Sequence, residues 1–358
     1  MGLILSLFFV AFVAINIPIA FAMGLASTFA LLLQGSIPLV IVPQKIFTGC
    51  DSFPLLAVPF FILAGALMDI GGISLRLVKL AHALVGHFRN GLGMVSIVSE
   101  IFFSGISGST AADTAAIGSI MIPAMNQAGY SPARATAIVC AACSMGILVP
   151  PCIAMVVYGS VANASIGSLF AGGFLPAFIM ASALMIQLHI QARRAGIPPG
   201  KWPGGKPLTK AFKESILALF MPIIIFGGIL GGVCTPTEAA VLAVVYGLAI
   251  GMCVYREITL SKLKEILLET ALVTGKVMIM VGMASVFAWI AAREQVPQAL
   301  AGFIQSLGGG KIFFLFFINI AFLFLGAVLE GVPALIMTVP ILLPIATQFG
   351  IDPVHFGI

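Results

Sequence analysis

What this chain can fold into is limited most by its recurring apolar runs, long enough to cross a lipid bilayer, at 2–33, 53–70, 166–190, 215–234, 239–255 and 271–292. Roughly 20 apolar residues suffice, because a helix rising about 1.5 Å per residue must cover about 30 Å of hydrocarbon. With 61% of the 358 residues hydrophobic and 8% charged, a soluble domain is excluded and lipid is the solvent. In lipid the backbone must satisfy its own polar groups, so the fold class expected is an all-α polytopic membrane protein. The first run is too long for a signal-peptide core and has no basic residue ahead of it, the first Lys or Arg being Lys45. It is expected to stay as a transmembrane helix.

Charge gives the orientation. The stretch 193–214 carries Arg193, Arg194, Lys201, Lys206, Lys210 and Lys213 against one acid, Glu214, in Pro- and Gly-rich sequence. Basic residues gather on the cytoplasmic side of membrane proteins, so this loop reads as cytoplasmic and as a domain boundary. Walking outward from it puts Arg256, Lys262, Lys264, Arg134, Arg76, Lys79 and Arg89 on the same side, thirteen of the seventeen basic residues in all. Orientation thus accounts for the net charge of +5, and no nucleic-acid partner is implied. Of six cysteines, Cys140 and Cys143 make a lone CxxC, which reads as small buried side chains rather than a metal or disulfide site.

Two interruptions fall in the middle of apolar sequence. Lipid tolerates them only where protein or a water-filled cavity takes up the freed backbone groups, so each marks a candidate site. The first is SGISGST at 104–110, between arms 92–103 and 111–128. Neither arm makes a comfortable span alone, and 91–129 reads as a re-entrant helical hairpin. The second is GAVLEGVP at 326–333, between arms 312–325 and 334–349, which gives a second hairpin at 311–350. IPAMNQAGYSP at 122–132 and LPIATQFGIDP at 343–353 share Pro, Gln, Gly and Pro at an offset of 221 (343 against 122). A span and then an amphipathic segment, 73–90 or 295–309, precede each hairpin. Five crossings separate the span near Phe53 from its counterpart near Ala271, and an odd number inverts one repeat relative to the other. Inverted repeats with broken helices are how many secondary transporters make a site reachable from either side. The chain then divides into N-terminal scaffold segments at 1–52, a first repeat at 53–192 with hairpin 91–129 and broken helix 133–163, a cytoplasmic linker at 193–213, scaffold spans at 214–269, and a second repeat at 270–358 with hairpin 311–350.

Chemistry concentrates at the breaks. In SMGILVPPC at 144–152, Pro150 and Pro151 lack an N–H and free carbonyls around 146–149. Such carbonyls and serine hydroxyls are hard oxygen ligands suited to Na⁺. The hairpin tip, with Ser104, Ser107, Ser109 and Thr110, can face them; a Pro-Pro kink used only for packing is the alternative. Glu100 and Asp113 flank this tip, and Glu330 lies in the second. Ionisable residues inside a membrane are expensive and usually functional. Asp113 lines the site, caps the following helix or belongs to a buried pair. Glu330, beside Gly331 and Pro333, caps a helix or serves transport, and Glu238 in TPTEA at 235–239 reads as an N-terminal cap.

SGSTAADTAAIGSIMIP at 107–123, ILVPP at 147–151, GGVCTPTEAA at 231–240 and the hairpin ending LPIATQFGIDP, in this order and over essentially the whole chain, resemble the large permease subunit of TRAP (tripartite ATP-independent periplasmic) transporters. The resemblance implies a transporter rather than an enzyme, multi-pass in the bacterial inner membrane, of the elevator type with both hairpins on a moving domain. It implies Na⁺ as coupling ion and no organic cofactor. Its implied partners are a small TRAP membrane subunit and a periplasmic substrate-binding protein. The resemblance also implies a first Na⁺ site of Ser104 and Ser107 with carbonyls at Gly146, Val149 and Pro150, and a part for Gly326 in another. The implied cargo is a small organic anion of the C4-dicarboxylate or acidic-sugar class.

Two other readings stay open from sequence. A sodium/dicarboxylate symporter working without a binding protein would share the architecture. An intramembrane serine protease would use Ser107, in the Gly-x-Ser-Gly of 105–108, but needs a histidine base within reach, and His82, His87, His189 and His355 fall away from that depth. The repeat also sets an expectation for the end of the sequence. Pro150 and Pro151 follow Pro132 by 18 and 19 residues, so their counterparts beyond Pro353 fall near 371 and 372, past Ile358. On that symmetry a truncated permease is expected, one that binds at most the first sodium site and does not transport.

Overall fold

The computed structural model describes residues 2–107, 110–200, 202, 204–306, 310–327, 329 and 331–358, with the side chains at 105–107, 111, 112 and 305 outside the description. Among the described residues there are helices and no strand. Six helices among the described residues are long and apolar enough to cross a membrane: Phe53–Ile70, Ile166–Arg194, Gly205–Leu230, Pro236–Val254, Leu260–Arg293 and Gly331–Gln348. The first five coincide with apolar runs read from the sequence.

The run at 2–33 does not make the single span expected of it. It forms two helices, Gly2–Ala14 and Ile19–Gln34, that fold back on each other, with the rings of Phe8 and Phe12 each 5.7 Å from that of Phe29. Asn16 takes a left-handed φ of 65° and Pro18 stands at the N-cap of the second helix, where its missing N–H costs nothing. At 13 and 16 residues the two helices rise only about 20 and 24 Å. Uniform hydrophobicity concealed a turn that two polar or ring-constrained residues specify.

Contacts group the chain into two units. The larger comprises Ala57–Met155 and Ile166–Ala271. In it, helix Ala57–Ile70 lies along Pro236–Leu248, with Ala57, Ala64 and Gly65 buried on one and Ala239, Ala240, Ala243 and Gly247 on the other. Small side chains let helix backbones approach closely, which is how helices associate where lipid offers no hydrophobic drive. The amphipathic helix Ile73–Val85 packs on Gly91–Ser107 and Gly205–Leu230. Arg76 pins its start: the guanidinium lies 3.7 Å over the Tyr255 ring, 3.1 Å from Glu257 Oε1, and donates to the Gly72 carbonyl at 2.6 Å. Ser215 Oγ donates to the Arg76 carbonyl at 2.8 Å, tying in a third helix. The expected cap at Glu238 is present as a reciprocal box, Thr235 N donating to Glu238 Oε2 at 2.7 Å and Glu238 N to Thr235 Oγ1 at 3.3 Å.

The hairpin arms of this unit are Gly91–Ser107 and Thr110–Gln127. They pack on each other and on Pro132–Gly146 through Met94, Ile97, Ile117, Met121, Val139 and Ala142, with Val78 and Ala81 of the amphipathic helix in the same core.

The smaller unit comprises Met1–Leu56, Val156–Ser165 and Leu272–Ile358. Its hairpin arms are Lys311–Gly326 and Gly331–Gln348, joined through Phe314, Ile318, Ile345 and Ala346 to Ala301 and Ile304 of the amphipathic helix Val296–Ser306. The plan repeats that of the larger unit. Thr110–Gln127 and Gly331–Gln348 have 18 residues each and begin 221 apart (331 against 110). Beyond each comes a glycine of positive φ, Gly129 at 89° and Gly350 at 71°. Then follow a side-chain N-cap, Ser131 or Asp352, and a proline at the first helical position, Pro132 or Pro353. Two of the four residues shared in sequence, the glycine and the second proline, are thus those that the turn geometry requires.

Candidate functional site

The most polar buried spot in the larger unit lies where Gly91–Ser107 packs against the end of Pro132–Gly146. Glu100 and Ser104 stand one turn apart on the first helix, so they share a face. The second helix begins with the Ser131 cap and stops at Gly146, because Pro150 and Pro151 cannot donate to the carbonyls one turn earlier. The chain tightens instead, with Leu148 N donating to the Met145 carbonyl at 3.0 Å and Val149 N to that of Gly146 at 2.8 Å. A carbonyl accepting one such bond keeps a second lone pair. The segment 147–152, which includes a cis Pro150–Pro151 peptide, leads into Ile153–Ala162.

Gly146 is the closest point of approach. A Cβ there would overlap Glu100 Oε1 and stand 2.5 Å from Ser104 Oγ, so only glycine admits both oxygens. Glu100 is 0% and Ser104 1% exposed, and neither Glu100 Oε1 nor Ser104 Oγ meets a hydrogen-bond partner among the described residues. Glu100 Oε2 accepts from the Cys143 thiol at 3.3 Å, and Asp113, from Thr110–Gln127, lies against Glu100. Two carboxyl groups brought together out of water, with the unpartnered Ser104 hydroxyl beside them, need a proton or a cation to offset their desolvation. Oxygens of carboxylate, hydroxyl and freed carbonyl are also the atoms that replace the hydration shell of an alkali cation.

Of the residues singled out from sequence, Ser104, Asp113 and Gly146 come together here, with Val149 and Pro150 buried in the adjoining turn. Thr110 opens its helix and its carbonyl accepts from Thr114 Oγ1 at 2.7 Å. Ser107 ends the preceding helix with its side chain outside the described residues, and Ser109 and Glu330 lie outside them altogether. Gly326 ends Lys311–Gly326 in the smaller unit, exposed, with open space where a Cβ would be. Sequence reasoning named Glu100 only as a flanking residue and took Cys143 for filler. The signals were present in the spacing: Glu100 is four residues before Ser104, and Cys143 is three before Gly146.

The sequence pattern of the family described as "Tripartite ATP-independent periplasmic transporter, DctM component" matches residues 6–358. The chain is 41% identical over 357 residues to the isethionate TRAP transporter permease protein DctMQ of Oleidesulfovibrio alaskensis, covering 98% of this chain and 55% of that protein. It is 40% identical over 343 residues to the sialic acid TRAP transporter large permease protein SiaM of Vibrio cholerae, covering 96% of this chain and 80% of that one. In fold it is similar to the crystal structure of the Alcanivorax borkumensis YdaH transporter, with a TM-score of 0.61 at 14% identity over 98% of this chain and 84% of that one.

Proposed function

Given that this chain belongs to the DctM component family of tripartite ATP-independent periplasmic transporters, we propose that it acts as the large permease subunit of a sodium-driven importer of small organic anions. Family membership makes it a membrane transport protein and not an enzyme, which removes the protease reading of Ser107.

The observation that carries sodium is the convergence of Ser104 Oγ and Glu100 Oε1 on Gly146, beside a turn whose prolines free main-chain oxygens. Ser104 and Ser107 with the carbonyls of Gly146, Val149 and Pro150 would hold Na⁺. Glu100 and Asp113 would supply the negative charge that offsets the cation's dehydration. Gly326 would serve a second such site. Isethionate and sialic acid, named for the two relatives, are both small organic acids, which supports an anionic cargo of the acidic-sugar or C4-dicarboxylate class. The matching hairpins support inverted repeats that re-enter the membrane and move as an elevator. A small membrane subunit and a periplasmic binding protein complete the transporter in the bacterial inner membrane.

The test is uptake in proteoliposomes by the transporter assembled from the complete permease, with the cognate binding protein outside. Uptake that follows an inward sodium gradient and requires the binding protein is expected, with Ser104→Ala raising the sodium needed for half-maximal rate. Equal uptake of free substrate without binding protein would favour the binding-protein-independent symporter, and unchanged sodium dependence in Ser104→Ala would move the cation elsewhere.

A further inference from the structure

The larger unit has a cavity of about 500 Å³ that the proposed transport cycle does not use, and every residue lining it is apolar. One wall is a single face of Gly205–Leu230, running from Phe212 to Phe226; Phe178 of Ile166–Arg194 closes another side. Phe102, Val149 and Pro150 form the floor. Phe178 is 68% and Ile223 59% exposed, so the cavity opens sideways, toward what surrounds a membrane protein at that depth.

Its dimensions select the occupant. The fourteen steps from Phe212 to Phe226 span roughly 21 Å along the helix, more than the ~15 Å of hydrocarbon in one leaflet. Spread over that length, the space is roughly 8 Å from wall to wall once the width of the occupant's own atoms is counted, less than the ~10–12 Å of an α-helix with side chains. A second helix does not fit. A single polymethylene chain does.

The end at Phe212 is marked by charge. Lys206, Lys210 and Lys213 are exposed in the first turns of the same helix, and the one acid among them, Glu214, lies 4.0 Å from Lys210. Trp202, 53% exposed and edge-on to His87 at 4.4 Å, stands just ahead in sequence, and indoles favour the headgroup region of a bilayer. Three lysines against one glutamate leave two net positive charges in the first turns of the helix whose apolar face lines the groove.

We infer that this groove is a binding site for one acyl chain of an anionic phospholipid, its headgroup phosphate held by Lys206, Lys210 and Lys213 and its chain lying from Phe212 to the Val149–Pro150 turn. Orientation by positive charge explains lysines in this loop but asks for no groove beneath them; a phospholipid uses both. Because Phe102, Val149 and Pro150 form the floor, the bound chain buttresses the back of the turn that carries the candidate cation site. That last consequence rests on the proposed function, whereas the lipid site does not.

The experiment is native mass spectrometry of the purified chain, titrated with dioleoylphosphatidylglycerol or dioleoylphosphatidylcholine. One tightly held phosphatidylglycerol is expected, preferred about thirtyfold over phosphatidylcholine, since each of the two net positive charges contributes about a factor of five. Replacing all three lysines with Gln should bring the two lipids to near parity. Ile223→Trp, at an exposed wall position where nothing inside need move, should fill the bore and weaken both lipids. Equal retention of the two lipids by the wild type overturns the inference, as does lipid binding indifferent to Ile223→Trp in a variant that unfolds like the wild type. Covalent capture of the small subunit by Ile223→Cys, in place of lipid, would also overturn it.

Discussion

Gly146→Ala is the smallest perturbation that reaches the candidate site. The added methyl would overlap Glu100 Oε1 and stand 2.5 Å from Ser104 Oγ and 2.9 Å from Ser104 Cβ. Ordinary contact begins near 3.4 Å, so Ser104 must retreat by about 0.9 Å and Glu100 by more. Both side chains are fully buried on one helix, and overpacking of this kind costs about 1–3 kcal/mol. Against that, alanine in place of glycine in a helix returns about 0.5–1 kcal/mol. The net expectation is destabilisation of up to roughly 2.5 kcal/mol, against a gain in the control. A sodium ion that loses the Ser104 oxygen loses about 1–3 kcal/mol more, so the concentration for half-saturation should rise roughly 5- to 150-fold. The assay is unfolding of the purified chain in detergent, followed over a sodium titration. Gly275→Ala is the matched control, because its Cβ meets nothing within 4 Å in the middle of Leu260–Arg293. That variant should gain about 0.5–1 kcal/mol and keep its sodium response. If Gly146→Ala is stabilised as the control is, with sodium dependence intact, the oxygens do not converge on Gly146.

Thr235→Ala breaks the reciprocal cap on Pro236–Leu248 and should cost about 1 kcal/mol of unfolding free energy, with no change in sodium response. Arg76→Lys should recover little of the loss caused by Arg76→Ala, about 1 kcal/mol in unfolding experiments. A lysine cannot both lie on Tyr255 and reach Glu257 and the Gly72 carbonyl, and full rescue would mean that charge alone acts there. Ser131→Ala and Asp352→Ala, made separately, should each lower stability by about 0.5–2 kcal/mol, because each removes the equivalent cap in one repeat; a neutral result at either would deny the equivalence.

Much of this architecture is legible in the sequence because lipid punishes irregular backbone. The Pro-Pro pair at 150–151 and the paired Pro, Gln, Gly and Pro of the two hairpins stand out against apolar sequence. The structure gives two of these reasons in backbone terms: Gly129 and Gly350 have positive φ, and Pro132 and Pro353 open helices. The turn at Asn16 and Pro18 was written in the same signals, but was hidden inside a run whose hydrophobicity alone met the length of a span. The carboxyl pair was half legible. Spacing puts Glu100 over Ser104, but that Cys143 and Asp113 come to the same oxygens depends on how three helices pack, which local pattern does not encode. The lipid-sized groove has no sequence signature, since its aromatic lining is indistinguishable from any membrane-facing helix.

The most direct test of the account is equilibrium binding of radioactive sodium to the purified chain. Saturable binding is predicted, displaced by unlabelled sodium but not by potassium or choline, and weakened in Ser104→Ala and Glu100→Gln while Gly275→Ala binds as the wild type does. Sodium bound no better than potassium, or bound equally by Ser104→Ala, Glu100→Gln and the unaltered chain, would contradict it.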